Sequence, residues 1–488
     1  MKAITRALLL VSILQFLFWG RSTDFLSSDH ARVSASAAQA IEISIPSGAP
    51  ILYSSVAVAD FNGDGYKEIV AGGSDGKLHI VSTSDGINWS PVWSHQCNDD
   101  IEAAGPPTSK SINTIQSTPA IADLDGDGHL DIVIALGGDV HDPDLANHYN
   151  GGVLVYRYNS AWDFSLIAPL SANGSQGWPQ PRIDAVGWPP PAYSYADGYW
   201  DGIATTPALG DLDGDGDLEI VVGGIDLRFH AWHHTGEAVA GWPITGPHAD
   251  GGLSSPALGD LDNDGLLEVV LGTKYTNGEN LWAINGDGTN VPGFPLVTEQ
   301  YIHSSPALAD IDKDGYLEIV VAGGWGSAAG GGGRDNIVYA INHDGTPVTN
   351  WPQETAGITV APPAVGDIDN DGDLEIVVGC GWHVDNTCHQ LYAWEANGSL
   401  VPGFPVEPLS PNPWIDGGYT MPRNPILADF DGDNTVEILI THQGAWGITV
   451  VEPNGVTSDN TSRSFPGGIV GSPEIGRASC RERVCVGV

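Results

Sequence analysis

The feature that most constrains this chain is an acidic segment of nine residues that recurs seven times without gaps. The copies begin at Asp60 (DFNGDGYKE), Asp123 (DLDGDGHLD), Asp211 (DLDGDGDLE), Asp260 (DLDNDGLLE), Asp310 (DIDKDGYLE), Asp367 (DIDNDGDLE) and Asp429 (DFDGDNTVE). Their starts lie 63, 88, 49, 50, 57 and 62 residues apart. A basic unit of about 50 residues with insertions has the size of a four-stranded propeller blade. Each such unit adds its own layer of core, so a chain of 488 residues needs no single large interior.

The surroundings repeat too. A short apolar segment precedes the loop, as in Ser305-Pro306-Ala307-Leu308-Ala309, and an apolar run follows it, as in Ile319-Val320-Val321 or Ile376-Val377-Val378. Runs of this kind read as buried strands. Next comes an aromatic strand, as in Leu281-Trp282-Ala283-Ile284, Val338-Tyr339-Ala340-Ile341 and Leu391-Tyr392-Ala393-Trp394. Asp287-Gly288, Asp344-Gly345 and Asn397-Gly398 then signal hairpin turns. Trp242-Pro243, Phe294-Pro295, Trp351-Pro352 and Phe404-Pro405 end their units. The expected order is strand, acidic loop, strand, strand, turn, strand. No segment has sustained helical periodicity, and aromatics at fixed places are expected to pack between units. The fold class is all-β, a β-propeller of four-stranded blades with seven blades visible.

Within each loop, side chains at positions 1, 3, 5 and 9 and the carbonyl of position 7 face one centre, while Gly at position 6 permits the turn. The expected ligand sets are Asp60, Asn62, Asp64, Tyr66 and Glu68 in loop one, and Asp123, Asp125, Asp127, His129 and Asp131 in loop two. Loop three supplies Asp211, Asp213, Asp215, Asp217 and Glu219, and loop four Asp260, Asp262, Asp264, Leu266 and Glu268. Loop five supplies Asp310, Asp312, Asp314, Tyr316 and Glu318, and loop six Asp367, Asp369, Asp371, Asp373 and Glu375. Asp429, Asp431, Asp433, Thr435 and Glu437 complete the series. Tyr66, His129, Asp217, Leu266, Tyr316, Asp373 and Thr435 contribute only their carbonyls. A cage of hard, mostly charged oxygens suits Ca²⁺, up to seven ions in structural roles. Mg²⁺ demands a smaller octahedron, and with no Cys or His side chain at a ligand position zinc and copper are disfavoured. An EF-hand differs in placing its last carboxylate at position 12 between helices. Asn62 costs loop one a charge, and Asn434 in place of Gly weakens loop seven.

The formal net charge of −43 excludes nucleic acid and anionic membrane surfaces as partners. The loops hold 29 of the 61 acidic residues, so bound cations would relieve much self-repulsion. At the N-terminus, Lys2 and Arg6 precede an apolar stretch from Leu8 to Trp19, too short for a comfortable membrane span. Residues 1–40 are expected to be a signal peptide and spacer, and 41–476 the propeller, so the protein is placed outside the cell or on its surface. Export would permit a Cys380–Cys388 hairpin disulfide. Cys97 has no evident partner. Asn88, Asn173, Asn397 and Asn460 stand in glycosylation sequons.

The DxDxDGxx(D/E) loop after a Ser-Pro-Ala-Leu-like segment resembles the FG-GAP/VCBS repeat family, the calcium-loop propellers that include the integrin α-subunit head. The Tyr-Ala-Trp and Pro-Gly-Phe-Pro elements are similar to bacterial secreted members. The resemblance covers about residues 50 to 476. It implies a seven- or eight-bladed propeller, with structural calcium between the first two strands of each blade. Many members serve in adhesion or ligand binding, and others accompany an enzyme without being its catalyst. Gly471-Ser472-Pro473-Glu474-Ile475-Gly476 matches Ser254-Ser255-Pro256-Ala257-Leu258-Gly259, so an eighth unit begins. Arg477 then stands where an Asp is due, and residues 477–488 are expected to be a non-native tail.

An insertion from about Gly137 to Asp201 carries His141-Asp142-Pro143-Asp144, His148, Trp178-Pro179, Trp188-Pro189 and Tyr199-Trp200. Exposed aromatics there would suit a sugar or protein ligand, against the alternative of a packed, proline-stiffened loop. His233 and His234 read as surface residues, and Gly330 to Gly333 as a hairpin tip without the Lys-Ser/Thr of a phosphate loop. There is no HExxH, and the recurring carboxylates are claimed by metal. The expected function is a non-catalytic adhesion or ligand-binding module for a glycan or protein, with no membrane insertion beyond the N-terminal signal. The alternatives are a polysaccharide lyase on a calcium-bearing eight-bladed propeller, or a propeller appended to a larger secreted enzyme.

Overall fold

The computed structural model describes residues 55–86, 88–104, 114–138, 152–167, 177–178, 180, 201–203, 205–224, 228–245, 254–273, 279–327, 336–381, 388–407, 421–430, 433–443, 447–457 and 463–464. Residues 1–54, most of the 137–201 insertion and the segment after 464 lie outside these, as do Asp431 and Gly330 to Gly333.

Among the described residues seven antiparallel sheets follow one another in chain order. Sheet one contains Ala57–Ala59, Glu68–Gly72, Lys77–Thr83 and Trp89–Gln96. Sheet two contains Ala120–Ala122, Asp131–Gly138, Gly152–Ser160 and Asp163–Leu166, with Asp201–Gly202 added at one end. Sheets three and four repeat the four-strand pattern, from Ala208–Gly210 to Ile244–Thr245 and from Ala257–Gly259 to Leu296–Val297. Sheet five runs from Ala307–Ala309 to Gln353–Glu354, joined by Gln300–Ile302. In sheet six the fourth strand shrinks to a single bridge between Leu391 and Val406. Sheet seven runs from Met421–Ala428 to Arg463–Ser464. The expectation of no helix needs one correction: after the fourth strand of sheet one, Cys97–Ala104 forms a short α-helix.

Every acidic loop joins the first two strands of its sheet in one register. The residue before position 1 pairs with the carboxylate of position 9: Ala59 with Glu68, Ala122 with Asp131, Gly210 with Glu219, Gly259 with Glu268, Ala309 with Glu318, Gly366 with Glu375 and Ala428 with Glu437. A fixed register puts the same side chains on the same face each time.

The core is divided among the interfaces between sheets. Among the described residues six apolar clusters occur, each shared by two consecutive sheets from one–two through six–seven. Among the described residues none joins sheet seven to sheet one. The aromatics that end the units are in these interfaces: Trp242, Phe294, Trp351 and Phe404 are buried, each before a cis proline. The indole Nε1 of Trp242 donates to Gly286 O of the next repeat at 2.8 Å, and that of Trp351 to Ala396 O at 2.8 Å. Close approach also explains Gly259, where a Cβ would stand 2.8 Å from a methyl of Leu308 in the next sheet.

A hydroxyl relay links the first five sheets. Ser55 N–H donates to Thr118 Oγ1 (3.2 Å), Thr118 N–H to Thr206 Oγ1 (3.3 Å), Thr206 N–H to Ser255 Oγ (2.9 Å) and Ser255 N–H to Ser305 Oγ (3.0 Å). Pro362 holds the corresponding position of sheet six and has no hydroxyl to continue it. Cys380 and Cys388, which export would permit to pair, form a disulfide with Cα atoms 5.6 Å apart.

Candidate metal sites

The loops are built by their own carboxylates before any ligand is considered. At position 9 the carboxylate accepts the backbone N–H of position 2 in all seven loops, at 2.6 to 3.3 Å. Position 5 accepts the N–H of position 7 in all seven, at 2.8 to 2.9 Å. Position 1 reaches the N–H of position 6, as in Asp60 to Gly65 (2.9 Å) and Asp123 to Gly128 (2.8 Å). These bonds gather the carboxylates around the loop centre. Position 6 has φ between +88° and +96° in the six glycines, and Asn434 adopts +74°, as its tolerance of the left-handed region allows. Position 4 needs positive φ as well, including at Lys313 (+62°), which the sequence reading missed.

Oxygen clusters result. Asp260, Asp262 and Glu268 offer atoms within 4.8 Å of one another, as do Asp310, Asp312 and Glu318, Asp123, Asp125 and Asp127, and Asp211, Asp213 and Asp215. All seven position-9 carboxylates are buried. Burial, reinforced by the neighbouring loop carboxylates and opposed by the backbone N–H bonds, pushes Glu268 and Glu318 up to about 7 and Glu375 up to about 8. Among the described residues, four buried carboxylate oxygens have no hydrogen-bond partner: Asp310 Oδ1 and Glu318 Oε1 in loop five, and Asp367 Oδ1 and Glu375 Oε1 in loop six. An ionised carboxylate oxygen left without a partner away from water is costly. The donor set fits a hard divalent cation, and the orphaned oxygens point to one.

What differs between loops is the residue across the strand from position 9. In sheet one Ser82 Oγ donates to Glu68 Oε1 at 2.9 Å. In sheet three His233 Nδ1 stands 3.0 Å from Glu219 Oε1, and His234 Nδ1 is 3.3 Å from Asp217. The reading of these histidines as surface residues is refined: both are half-buried beside loop three, and His233, outside the nine-residue loop, forms with Asp213 and Glu219 a group that could hold a metal. Asn285 and Asn342 follow the paired residues Ile284 and Ile341 in sheets four and five. Glu395 pairs with Glu375 in sheet six.

Arg157 faces Asp131 in sheet two. Its Nε donates to Asp131 Oδ1 (2.9 Å), Nη1 to Asp127 Oδ2 (2.7 Å), and Nη2 to Asp125 Oδ2 (2.8 Å) and Asp131 Oδ2 (3.1 Å). Burial alone would raise Asp125, but the guanidinium outweighs it and holds the carboxyl below its ordinary value.

The insertion's candidates fare unequally. Trp178 is buried between sheets two and three and donates to His234 O at 2.9 Å, so it packs rather than presents a ligand surface. His141, Asp142, Asp144, His148, Trp188, Tyr199 and Trp200 lie outside the described residues. Burial pushes the Cys97 thiol up to about 12, which removes it as a nucleophile at neutral pH. Among the described residues no helix is long and apolar enough to cross a membrane.

Comparison with known proteins agrees with this architecture. The FG-GAP-like repeat family matches residues 211–271 and 260–321, and the FG-GAP repeat family residues 52–86. No curated protein sequence matches the chain. Among solved structures, an exo-type rhamnogalacturonan lyase is similar at 15% identity over 86% of this chain and 66% of that one, with a TM-score of 0.52. The V. cholerae biofilm matrix protein Bap1 is similar at 12% identity over 87% of this chain and 82% of that one, with a TM-score of 0.49. Likeness at such identity concerns the fold alone. With loops one, three, four and five inside the matched segments, the chain carries FG-GAP repeats.

Proposed function

We propose that this chain is a calcium-stiffened β-propeller of the extracellular space that acts as a non-catalytic adhesion or ligand-binding module for a glycan or protein. The observation that carries the calcium reading is the set of orphaned buried oxygens at Asp310, Glu318, Asp367 and Glu375. The seven sheets are its blades. Sheet-on-sheet packing in chain order and the hydroxyl relay through the first strands support that arrangement. Calcium would supply charge neutralisation and a link between the first two strands of a blade. Asp260, Asp262, Asp264 and Glu268, and their counterparts in loops five and six, would hold it, while the backbone bonds above keep them oriented.

Chemistry supports the non-catalytic reading: in all seven loops the carboxylates of positions 5 and 9 accept backbone N–H groups and so serve to build the loop. The likeness to a rhamnogalacturonan lyase fold keeps a lyase as the second reading. Glycan-array binding abolished by chelator, without release of unsaturated sugars from rhamnogalacturonan, is the expected result. Release of such sugars by the purified chain would replace the binding reading with the lyase.

A further inference from the structure

Loop two holds a guanidinium among its carboxylates of positions 3, 5 and 9. From the structure we infer that Arg157 permanently takes the place of the metal in loop two, so that this loop binds no calcium and is locked without it. The inference rests on the calcium reading of the other loops.

The guanidinium touches Asp125, Asp127 and Asp131, the side chains of positions 3, 5 and 9, through four hydrogen bonds of 2.7 to 3.1 Å. These are the positions that a metal in this loop would need. Arg157 is anchored from the neighbouring strand through its pairing with Asp131, which is fully buried, so it enters the loop from the sheet side. A planar fork of donors matches several carboxylates at once, and arginine stays charged at any relevant pH. A calcium ion at the same centre would sit against a fixed positive charge, among ligands already engaged by N–H donors.

The other loops show the contrast at the same register position. Asn342 in sheet five follows the paired Ile341 and brings no charge, and there Glu318 Oε1 and Asp310 Oδ1 remain unpartnered. Glu395 in sheet six adds a carboxylate beside Glu375. A single cross-strand residue thus sets whether a loop is open to metal: arginine closes it, asparagine leaves it open and glutamate strengthens its negative charge.

The test is calcium stoichiometry of the full chain by equilibrium dialysis with radioactive calcium. Asp125→Asn is expected to leave the number of bound ions unchanged, and Arg157→Ser to raise it by one. Asn342→Arg, which transplants the lock into sheet five, is expected to lower it by one. Loss of one ion in Asp125→Asn overturns the inference, even where Arg157→Ser fails to fold. In chelator, the amide of His129, bonded to Asp127, should keep its hydrogen-exchange protection while that of Tyr316, bonded to Asp314, loses it. Equal loss in both loops overturns the inference as well. A wild-type chain that binds no calcium removes the calcium reading along with it, whereas a calcium-loaded chain failing the Asp125→Asn arm removes only the inference.

Discussion

Loop two and loop five are the same nine-residue hairpin stabilised in opposite ways. Both pair position 0 with position 9, and both hold position 9 through the N–H of position 2. In loop two the negative charge is answered within the chain by Arg157, while in loop five two buried oxygens are left facing nothing. A repeat can therefore conserve the shape of a site while changing what fills it. The hairpin geometry is local, but its charge balance belongs to the neighbouring strand.

Chelation should separate the two most strongly. At about ten times its dissociation constant a bound ion contributes about 1.4 kcal/mol, so loops four, five and six together would add about 4 kcal/mol. Thermal melts with and without EDTA measure this, and an unchanged melt would break the comparison at its base. Next in size is Arg157→Ala in chelator. Removing the partner of the buried Asp131 should cost about 3 kcal/mol by urea denaturation. Calcium should restore part of that loss, since the emptied loop then resembles loop five. A cost that calcium leaves untouched would mean that the arginine only packs.

Protons offer a graded version of the same contrast. Glu318 and Glu375 ionise near 4.5 when unfolded, but are held up to about 7 and about 8 in the fold. Between these values the folded state retains protons that the unfolded state has shed, so it loses stability as pH rises. Metal-free protein should therefore melt lower at pH 8.5 than at pH 5, while calcium affinity rises across the same range. A melt in chelator that rises with pH would contradict the crowding of these carboxylates. The smallest effect is expected away from the loops. Ser305→Ala leaves the Ser255 N–H without its acceptor and should cost about 1 kcal/mol whether or not calcium is present.

The hairpins were legible because everything that shapes them lies within nine residues. Gly at position 6, Asp at positions 1 and 5, and the apolar strands on either side each announce a local backbone need. The cystine at Cys380 and Cys388 and the packed Trp-Pro and Phe-Pro aromatics were legible for the same reason. Lys313 was less so, because lysine does not advertise a left-handed backbone, yet it adopts φ of +62° in the position where other loops use Gly or Asn. His233 reads as a surface residue in the chain but stands against Glu219. Trp178 takes the packed alternative weighed for the insertion, and donates to His234 O.

By itself the sequence determined the repeat, the strand order and the acidic loop with its inward carboxylates. Tertiary structure alone decided which side chain stands across from each loop's buried carboxylate. That residue sits across the strand at separations that vary with hairpin length, 14 residues from Glu68 to Ser82 and from Glu219 to His233, but 26 from Asp131 to Arg157. No fixed spacing marks it. Only strand pairing brings that side chain to the loop, because register is set by the sheet rather than by distance along the chain.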